Sequence, residues 1–224
     1  MKSKIPQKST RALHERLKTA KKRTVSSQAW LERQINDPYV RAAKSEGYRS
    51  RAAYKLVEMD DKYRFLKKGQ SAVDLGAAPG GWTQVLVVRL GEGNVVGIDM
   101  QEMDPVGGAT LKLLDFMNPR APAMIKQMLN GPVANVLSDM ASPATGHRET
   151  DHLRVMALCE AALEFAIEIL KPGGTFVCKV LRGGTERTLL ETLKRRFTKV
   201  IHVKPPASRA DSAEMYVLAM GFRT

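Results

Sequence analysis

VDLGAAPGGW, residues 73–82, begins as a short apolar strand, passes through a cluster of small residues and a proline, and opens the helix-like segment GWTQVLVVRL (81–90). A strand stopping at a glycine turn that starts a helix is the building unit of open α/β sheets, whose ligands bind beyond the C-terminal strand ends. The spacing is G-x-x-x-G-G with Pro79 in the turn, so it is not the G-x-G-x-x-G dinucleotide fingerprint. Gly76, Ala77 and Ala78 let a ligand approach the backbone, while Gly80 and Gly81 permit the dihedrals of a sharp turn. Such a turn taken alone serves geometry as readily as binding.

Strand and helix signals alternate downstream. NVVGIDM (94–100), ATLKLLD (109–115) and PVANVLSDM (132–140) read as strands. An amphipathic helix follows over about 153–170, with Leu158, Ala162, Phe165 and Ile169 on one face, and KPGG (171–174) breaks it. TFVCKVL (175–181), a basic helix ERTLLETLKRRF (186–197), KVIHVK (199–204) and AEMYVLAMGF (213–222) complete the chain. Repeated strand–helix units predict a largely parallel, doubly wound sheet with helices on both faces. No helix separates the last two strands, which allows an antiparallel final pairing. Upstream, SRAAYKLVEMDDKYRFL (50–66) places Ala52, Leu56, Met59 and Tyr63 at helical spacing, with Ser50 as a plausible N-cap. A further short helix is expected within 26–47.

Three strands in succession end in an acid: Asp99, Asp115 and Asp139. A carboxylate in the position of Asp99 can accept both hydroxyls of a ribose, and Asp115 could accept from an adenine amino group. A lone strand-end Asp is usually a cap or a loop residue, but three in register are harder to dismiss. No G-x-x-x-x-G-K-[ST] segment cradles a triphosphate. The pattern fits a nucleoside without a pyrophosphate, and S-adenosylmethionine is the natural candidate.

Two lysines face inward. Lys55 falls on the apolar stripe of its helix, and Lys179 interrupts the apolar strand FVCKVL. Burying an ammonium costs several kcal/mol unless it is paired or neutralised.

The chain of 224 residues carries a formal charge of +13, unevenly spread. Residues 1–68 hold 19 Lys/Arg against 7 Asp/Glu, whereas 69–224 hold 17 against 16. A basic N-terminal arm, residues 1–48, is therefore expected to be partly disordered and to bind a polyanion by counterion release; the plain alternative is a solvated tail. Residues 49–224 form the main domain. Cys159 and Cys178 read as reduced core residues, and the four scattered histidines suggest no metal site. No apolar run nears the ~20 residues of a membrane span, and no signal-peptide core is visible. The arm has the composition of a transit peptide as well, so an organellar destination stays open beside the expected cytoplasmic one.

With SRAAYKL, VDLGAAPGGWTQV, MDP (103–105), SDMA (138–141), LKPGGTFVCKV and the terminal SRADSAEMYVLAMGF, residues 28–223 resemble the FtsJ/RrmJ-type 2′-O-methyltransferases of large-subunit ribosomal RNA. The resemblance implies a Rossmann-like S-adenosylmethionine-dependent methyltransferase fold, a mostly parallel seven-stranded sheet with an antiparallel last strand. It also implies a Lys-Asp-Lys-Glu tetrad at Lys55, Asp139, Lys179 and Glu214, and cofactor contacts at Gly80, Trp82, Asp99, Asp115 and Asp139, to which the turn adds Gly76. The loop SPATGHRETDH (142–152) departs from the family pattern, as does the length of the arm.

A ribose 2′-hydroxyl is a weak acid and must lose its proton to attack a sulfonium methyl. A lysine is a competent base only if its pKa falls from the model value near ~10.4; desolvation and neighbouring cations lower it, and carboxylates raise it. On this reading Lys179 takes or steers the proton, Lys55 and Glu214 orient the ribose, and Asp139 bridges Lys179 and the methionine end of the cofactor. The bland reading is a strand-end ion pair, a snorkelling Lys55 and a surface Glu214. The arm, Arg49, Arg51 and the Lys194–Arg196 run are candidate RNA contacts, the last read more simply as a solvated helix end. Expected partners are ribosomal RNA and the large ribosomal subunit, the acceptor one uridine, the protein a monomer. Transfer-RNA or cap 2′-O-methylation, and a non-catalytic role in ribosome assembly, are the alternatives.

Overall fold

The structure is a computed structural model and describes residues 24–143, 145–182 and 187–224. Among the described residues, seven strands and seven helices follow one another as α1 (Val25–Asn36), α2 (Pro38–Glu46), α3 (Ala53–Tyr63), β1 (Ala72–Leu75), α4 (Gly81–Leu90), β2 (Val95–Asp99), β3 (Ala109–Leu113), α5 (Ala121–Met128), β4 (Val133–Ser138), α6 (Arg148–Ile169), β5 (Leu170–Leu181), α7 (Arg187–Arg196), β6 (Phe197–Val203) and β7 (Glu214–Phe222). The strands form one sheet in the order β3-β2-β1-β4-β5-β7-β6. Pairings from β3 through β5 are parallel, and β7 runs antiparallel to both β5 and β6. The order reverses between β1 and β4, which opens a crevice at their C-terminal ends.

Period-2 alternation decides what meets what across the sheet. Phe176, Cys178, Val180, Val217 and Ala219 face one core with Met156, Cys159 and Phe165 of α6. Val177, Tyr216 and Leu218 face the other, with Leu56 and Met59 of α3 and Trp82 and Leu86 of α4. Lys179 shares the parity of Val177, and Glu214 that of Tyr216, so both project toward α3 and Lys55. Burial is nearly complete on both faces of the central strands, as parallel sheets require.

Several local expectations are revised. The 26–47 segment is two helices, not one, because Asp37 and Pro38 restart the chain: Asp37 accepts from the Tyr39 N–H at 2.9 Å as an N-cap, with proline in the first turn. Ser50 does not cap α3; that position is Ala52 with no side-chain cap, and Ser50 Oγ is buried against Gly81 with no hydrogen-bond partner. Helix α5, unforeseen in the sequence, fills the connection between β3 and β4. KPGG does not simply precede its strand; β5 starts at Leu170 and bulges, its register to β4 shifting from Val133↔Leu170 to Asn135↔Thr175.

The expected 1–48 arm divides. Its first 23 residues, with nine Lys/Arg against the single acid Glu15, lie outside the described residues, whereas 24–48 are charge-balanced and helical in part. Helix α2 is docked: Ala43 packs with Tyr54 and Ala207, and the Tyr39 hydroxyl donates to Glu58 Oε1 at 2.8 Å.

Candidate active site

Asp139 directly follows β4, and its N–H donates to the Leu75 carbonyl at 3.1 Å, which brings it to the crevice beside the glycine turn. Lys179 reaches it from the neighbouring strand. Its Nζ lies 2.7 Å from Asp139 Oδ1, donates to the Asp139 carbonyl at 2.8 Å, and stands 3.8 Å from Glu214 Oε1. Lys55 Nζ comes down from α3 to Glu214 Oε2 at 3.0 Å and donates to the Tyr216 hydroxyl at 3.1 Å. That hydroxyl donates to Asp139 Oδ1 at 2.6 Å. The four residues expected to form a tetrad are thus together, and Tyr216 joins them into a closed ring: Lys55, Glu214, Lys179, Asp139, Tyr216 and back.

The ring settles its own charges. Burial works against the Lys179 ammonium, but the carboxylates of Asp139 and Glu214 outweigh it and hold its pKa above the ordinary lysine value. Burial likewise pushes Asp139 and Glu214 up, yet the two lysines bring both below the usual carboxylate range. Tyr216, desolvated and beside Asp139, is held protonated far above its ordinary value. At rest Lys179 is therefore an ammonium between the carboxylates of Asp139 and Glu214, with Tyr216 a neutral phenol.

Gly76, Asp99, Asp115 and Asp139 line one pocket, together with Ile98, Leu114, Phe116 and Met140. Gly76 is obligatory there: its φ is +81°, and a Cβ would come within 2.8 Å of the Met140 nitrogen. Asp99 accepts from the Ala78 and Gln101 N–H groups at 2.9 and 2.8 Å, and Asp115 from the Met117 N–H at 2.9 Å. Gly80 and Trp82 do not line this pocket. Gly80, at φ +108°, is pressed by Arg49, and Trp82 is buried, donating from Nε1 to the Ala52 carbonyl at 2.9 Å and resting 5.5 Å from the Tyr216 ring. The indole thereby fixes α3, and with it Lys55, against β7.

Two of the suggested RNA contacts are engaged within the protein. The Arg49 guanidinium donates to the Pro79, Asp104 and Pro105 carbonyls, tying the MDP segment to the glycine turn. Arg51 pairs with Asp37 at 2.9 Å and donates to the Ala207 carbonyl at 2.7 Å. Lys194–Arg196 end α7 beside Phe197, which pairs with Phe222 at the far end of β7 from Glu214. Gly183 and Gly184, which read in the sequence as a flexible turn just beyond Lys179, lie outside the described residues. A second cavity, of about 260 Å³, meets the ring at Glu214 and is lined by Arg51, Arg209, Asp211, Ser212 and Glu214.

The sequence reading missed Tyr216, Arg209 and Asp74. Tyr216 was signalled, standing two residues after Glu214 in a strand. Asp74 lies fully buried under the glycine turn; Thr83 Oγ1 donates to its Oδ2 at 2.7 Å, while Oδ1 has no partner. Burial, aided by the charges of Asp139 and Asp99 and opposed by the Thr83 hydrogen bond, pushes its carboxyl up to about 7.

A sheet of this order, with a glycine turn after β1 and acids at successive strand ends, defines a Rossmann-like methyltransferase fold. The comparisons with known proteins narrow that class. The model of the FtsJ-like methyltransferases matches residues 48–222. "Ribosomal RNA large subunit methyltransferase E" of Parvibaculum lavamentivorans is 61% identical over 95% of this chain and 88% of its own, and that of Jannaschia sp. is 57% identical over 95% and 94%. A crystal structure described as a ribosomal RNA methyltransferase of Plasmodium falciparum superposes with a TM-score of 0.69 at 32% identity, covering 78% of this chain and 98% of that one. The chain belongs to the FtsJ-like methyltransferase family.

Proposed function

We propose that the protein transfers a methyl group from S-adenosylmethionine to the 2′-oxygen of a ribose, on a uridine of large-subunit ribosomal RNA within the assembled subunit. The observation that carries this reading is the closed ring of Lys55, Glu214, Lys179, Asp139 and Tyr216, set between two clefts: Asp139 borders one and Glu214 the other. A group that handles a proton between donor and acceptor belongs at such a boundary.

The pocket beside Asp139 suits the proposed donor by its chemistry. Asp99 and Asp115 offer acceptors for ribose hydroxyls and an adenine amino group, and Ile98, Leu114 and Phe116 offer apolar cover. Among the described residues no lysine or arginine lines it, so phosphates would find no counter-charge there while a cation would meet carboxylates. When bound, S-adenosylmethionine supplies an electrophilic methyl group. The chain supplies the rest. From the Glu214 side, Lys55 and Glu214 orient the ribose. On this reading the proton of the 2′-hydroxyl passes to Lys179 Nζ. Lys179 must first lose its resting proton to solvent, and a cation held in the pocket beside Asp139 would favour that loss. Similarity to relatives named as ribosomal RNA large subunit methyltransferases supports ribosomal RNA as the acceptor.

The test is transfer of labelled methyl to total RNA, free ribosomal RNA and isolated subunits, followed by mapping of 2′-O-methyl positions. One labelled site in large-subunit RNA is expected. Label in transfer RNA or at a cap would redirect the substrate, and no labelling would overturn the enzyme reading in favour of an assembly factor.

A further inference from the structure

Tyr216 is fully buried, stands directly opposite Lys179 in the β5–β7 ladder, and closes the ring through both of its hydroxyl's hydrogen-bonding roles. It accepts from Lys55 Nζ at 3.1 Å and donates to Asp139 Oδ1 at 2.6 Å. Asp139 Oδ1 is also the oxygen that holds Lys179, at 2.7 Å. Two donors, one charged and one neutral, therefore share a single carboxylate oxygen. We propose that Tyr216 is a positioning residue for the transfer, a neutral donor that takes up part of Asp139 Oδ1 and so loosens the ion pair Lys179 must leave before it can accept a proton. The inference rests on Lys179 acting as the base.

The physical chemistry has a definite sign. A carboxylate already accepting a strong hydrogen bond attracts a neighbouring ammonium less than a bare one does, and hydrogen bonds to charged groups are the stronger kind. Removing the phenol leaves Oδ1 to Lys179 alone and tightens the pair. The same change leaves Lys55 with Glu214 alone and draws Glu214 off Lys179, but at 3.8 Å that contact is the weaker one. The groups facing Lys179 are Asp139 after β4, Glu214 and Tyr216 on β7, Lys55 on α3, and Cys178 on its own strand. None of the others is both neutral and a donor to Asp139. A phenylalanine at this position would preserve the packing against Trp82 and erase only the oxygen.

The test follows Lys179 itself and turnover together in Tyr216→Phe. Lysine side-chain NMR, with the Lys179 signal identified by its loss in Lys179→Ala, should show its titration moved upward by about one pH unit. Single-turnover methyl transfer at pH 7.5 should fall about tenfold, recover as pH rises, and leave S-adenosylmethionine affinity and the RNA KM within about twofold. Placing 3-fluorotyrosine at 216, a stronger donor of the same shape, should move both readings the opposite way. A loss equal at every pH, with the Lys179 titration unmoved, would mean a merely structural tyrosine and overturn the proposal, as would unchanged turnover. Survival of activity in Lys179→Ala would instead sink the base reading on which it rests.

Discussion

On the β1–β2–β3 side of the sheet's C-terminal edge, Asp99 and Asp115 accept hydrogen bonds from backbone N–H groups and keep a carboxylate facing the pocket. On the β4–β5–β7 side, Asp139 and Glu214 are held by Lys179, Lys55 and Tyr216. Both regions use acids at strand ends, yet the first leaves them available to neutral donors and the second neutralises them within the protein. An acid oriented by the backbone is a rigid acceptor, suited to binding; an acid locked to a lysine sets where a proton rests, suited to chemistry. The division predicts which substitutions damage affinity and which damage rate.

Lys179→Ala should test it most severely. Methyl transfer is expected to fall about a thousandfold, the middle of the range for a positioned proton acceptor, with S-adenosylmethionine affinity by calorimetry within a few-fold of wild type. Asp99→Ala should give the mirror image: cofactor Kd weakened about tenfold or more, as for a lost charged hydrogen bond, and kcat at saturating cofactor changed a few-fold at most. If the two variants showed the same pattern, the division would be broken.

A smaller effect belongs to the basic N-terminus. Because α2 is anchored by Tyr39 and Asp37, deleting residues 1–23 removes eight of the thirteen net positive charges without disturbing the docked helix. RNA affinity should drop several-fold at moderate salt and its logarithmic salt slope should flatten, with turnover at saturating RNA retained; an unchanged slope would remove the arm from recognition.

The smallest effect sharpens the comparison at its centre, where Asp74 belongs to neither side. Its carboxyl is pushed up to about 7, so the folded state is disfavoured progressively as pH rises from the ordinary carboxylate value toward 7 and carries the full penalty above it. Asp74→Asn escapes that penalty. Its melting temperature should exceed wild type by a few degrees at pH 8, with the gap narrowing at pH 5. A gap that widened on acidification would reverse the assignment.

Much of this arrangement was legible in the sequence because it is periodic. Lys55 sat at helical spacing between Ala52 and Met59, Lys179 alternated with Cys178 and Val180 in a strand, and the acids marked strand ends. The antiparallel last strand was anticipated, but its place between β5 and β6 was not. What escaped lacked a period. Arg209 stands in an irregular segment whose path depends on Ala207 docking against Glu58 and Tyr54, and α5 is too short, with prolines before and within it, to announce itself. Arg49 and Arg51 read as RNA contacts since charge is visible in a sequence, whereas the carbonyls and the Asp37 that occupy them come from distant segments.

The place of β7 between β5 and β6 has a consequence for how the enzyme comes into being. A nascent chain emerging from its N-terminal side completes the glycine turn, Asp99, Asp115 and Lys179 before Glu214 and Tyr216 exist, and until β7 arrives β5 and β6 each present an open edge. The pocket side can mature early, but the ring of Lys55, Glu214, Lys179, Asp139 and Tyr216 closes only when the last strand is threaded into the gap; on the role proposed for that ring, the competence to transfer a methyl group would report that the sheet has been finished.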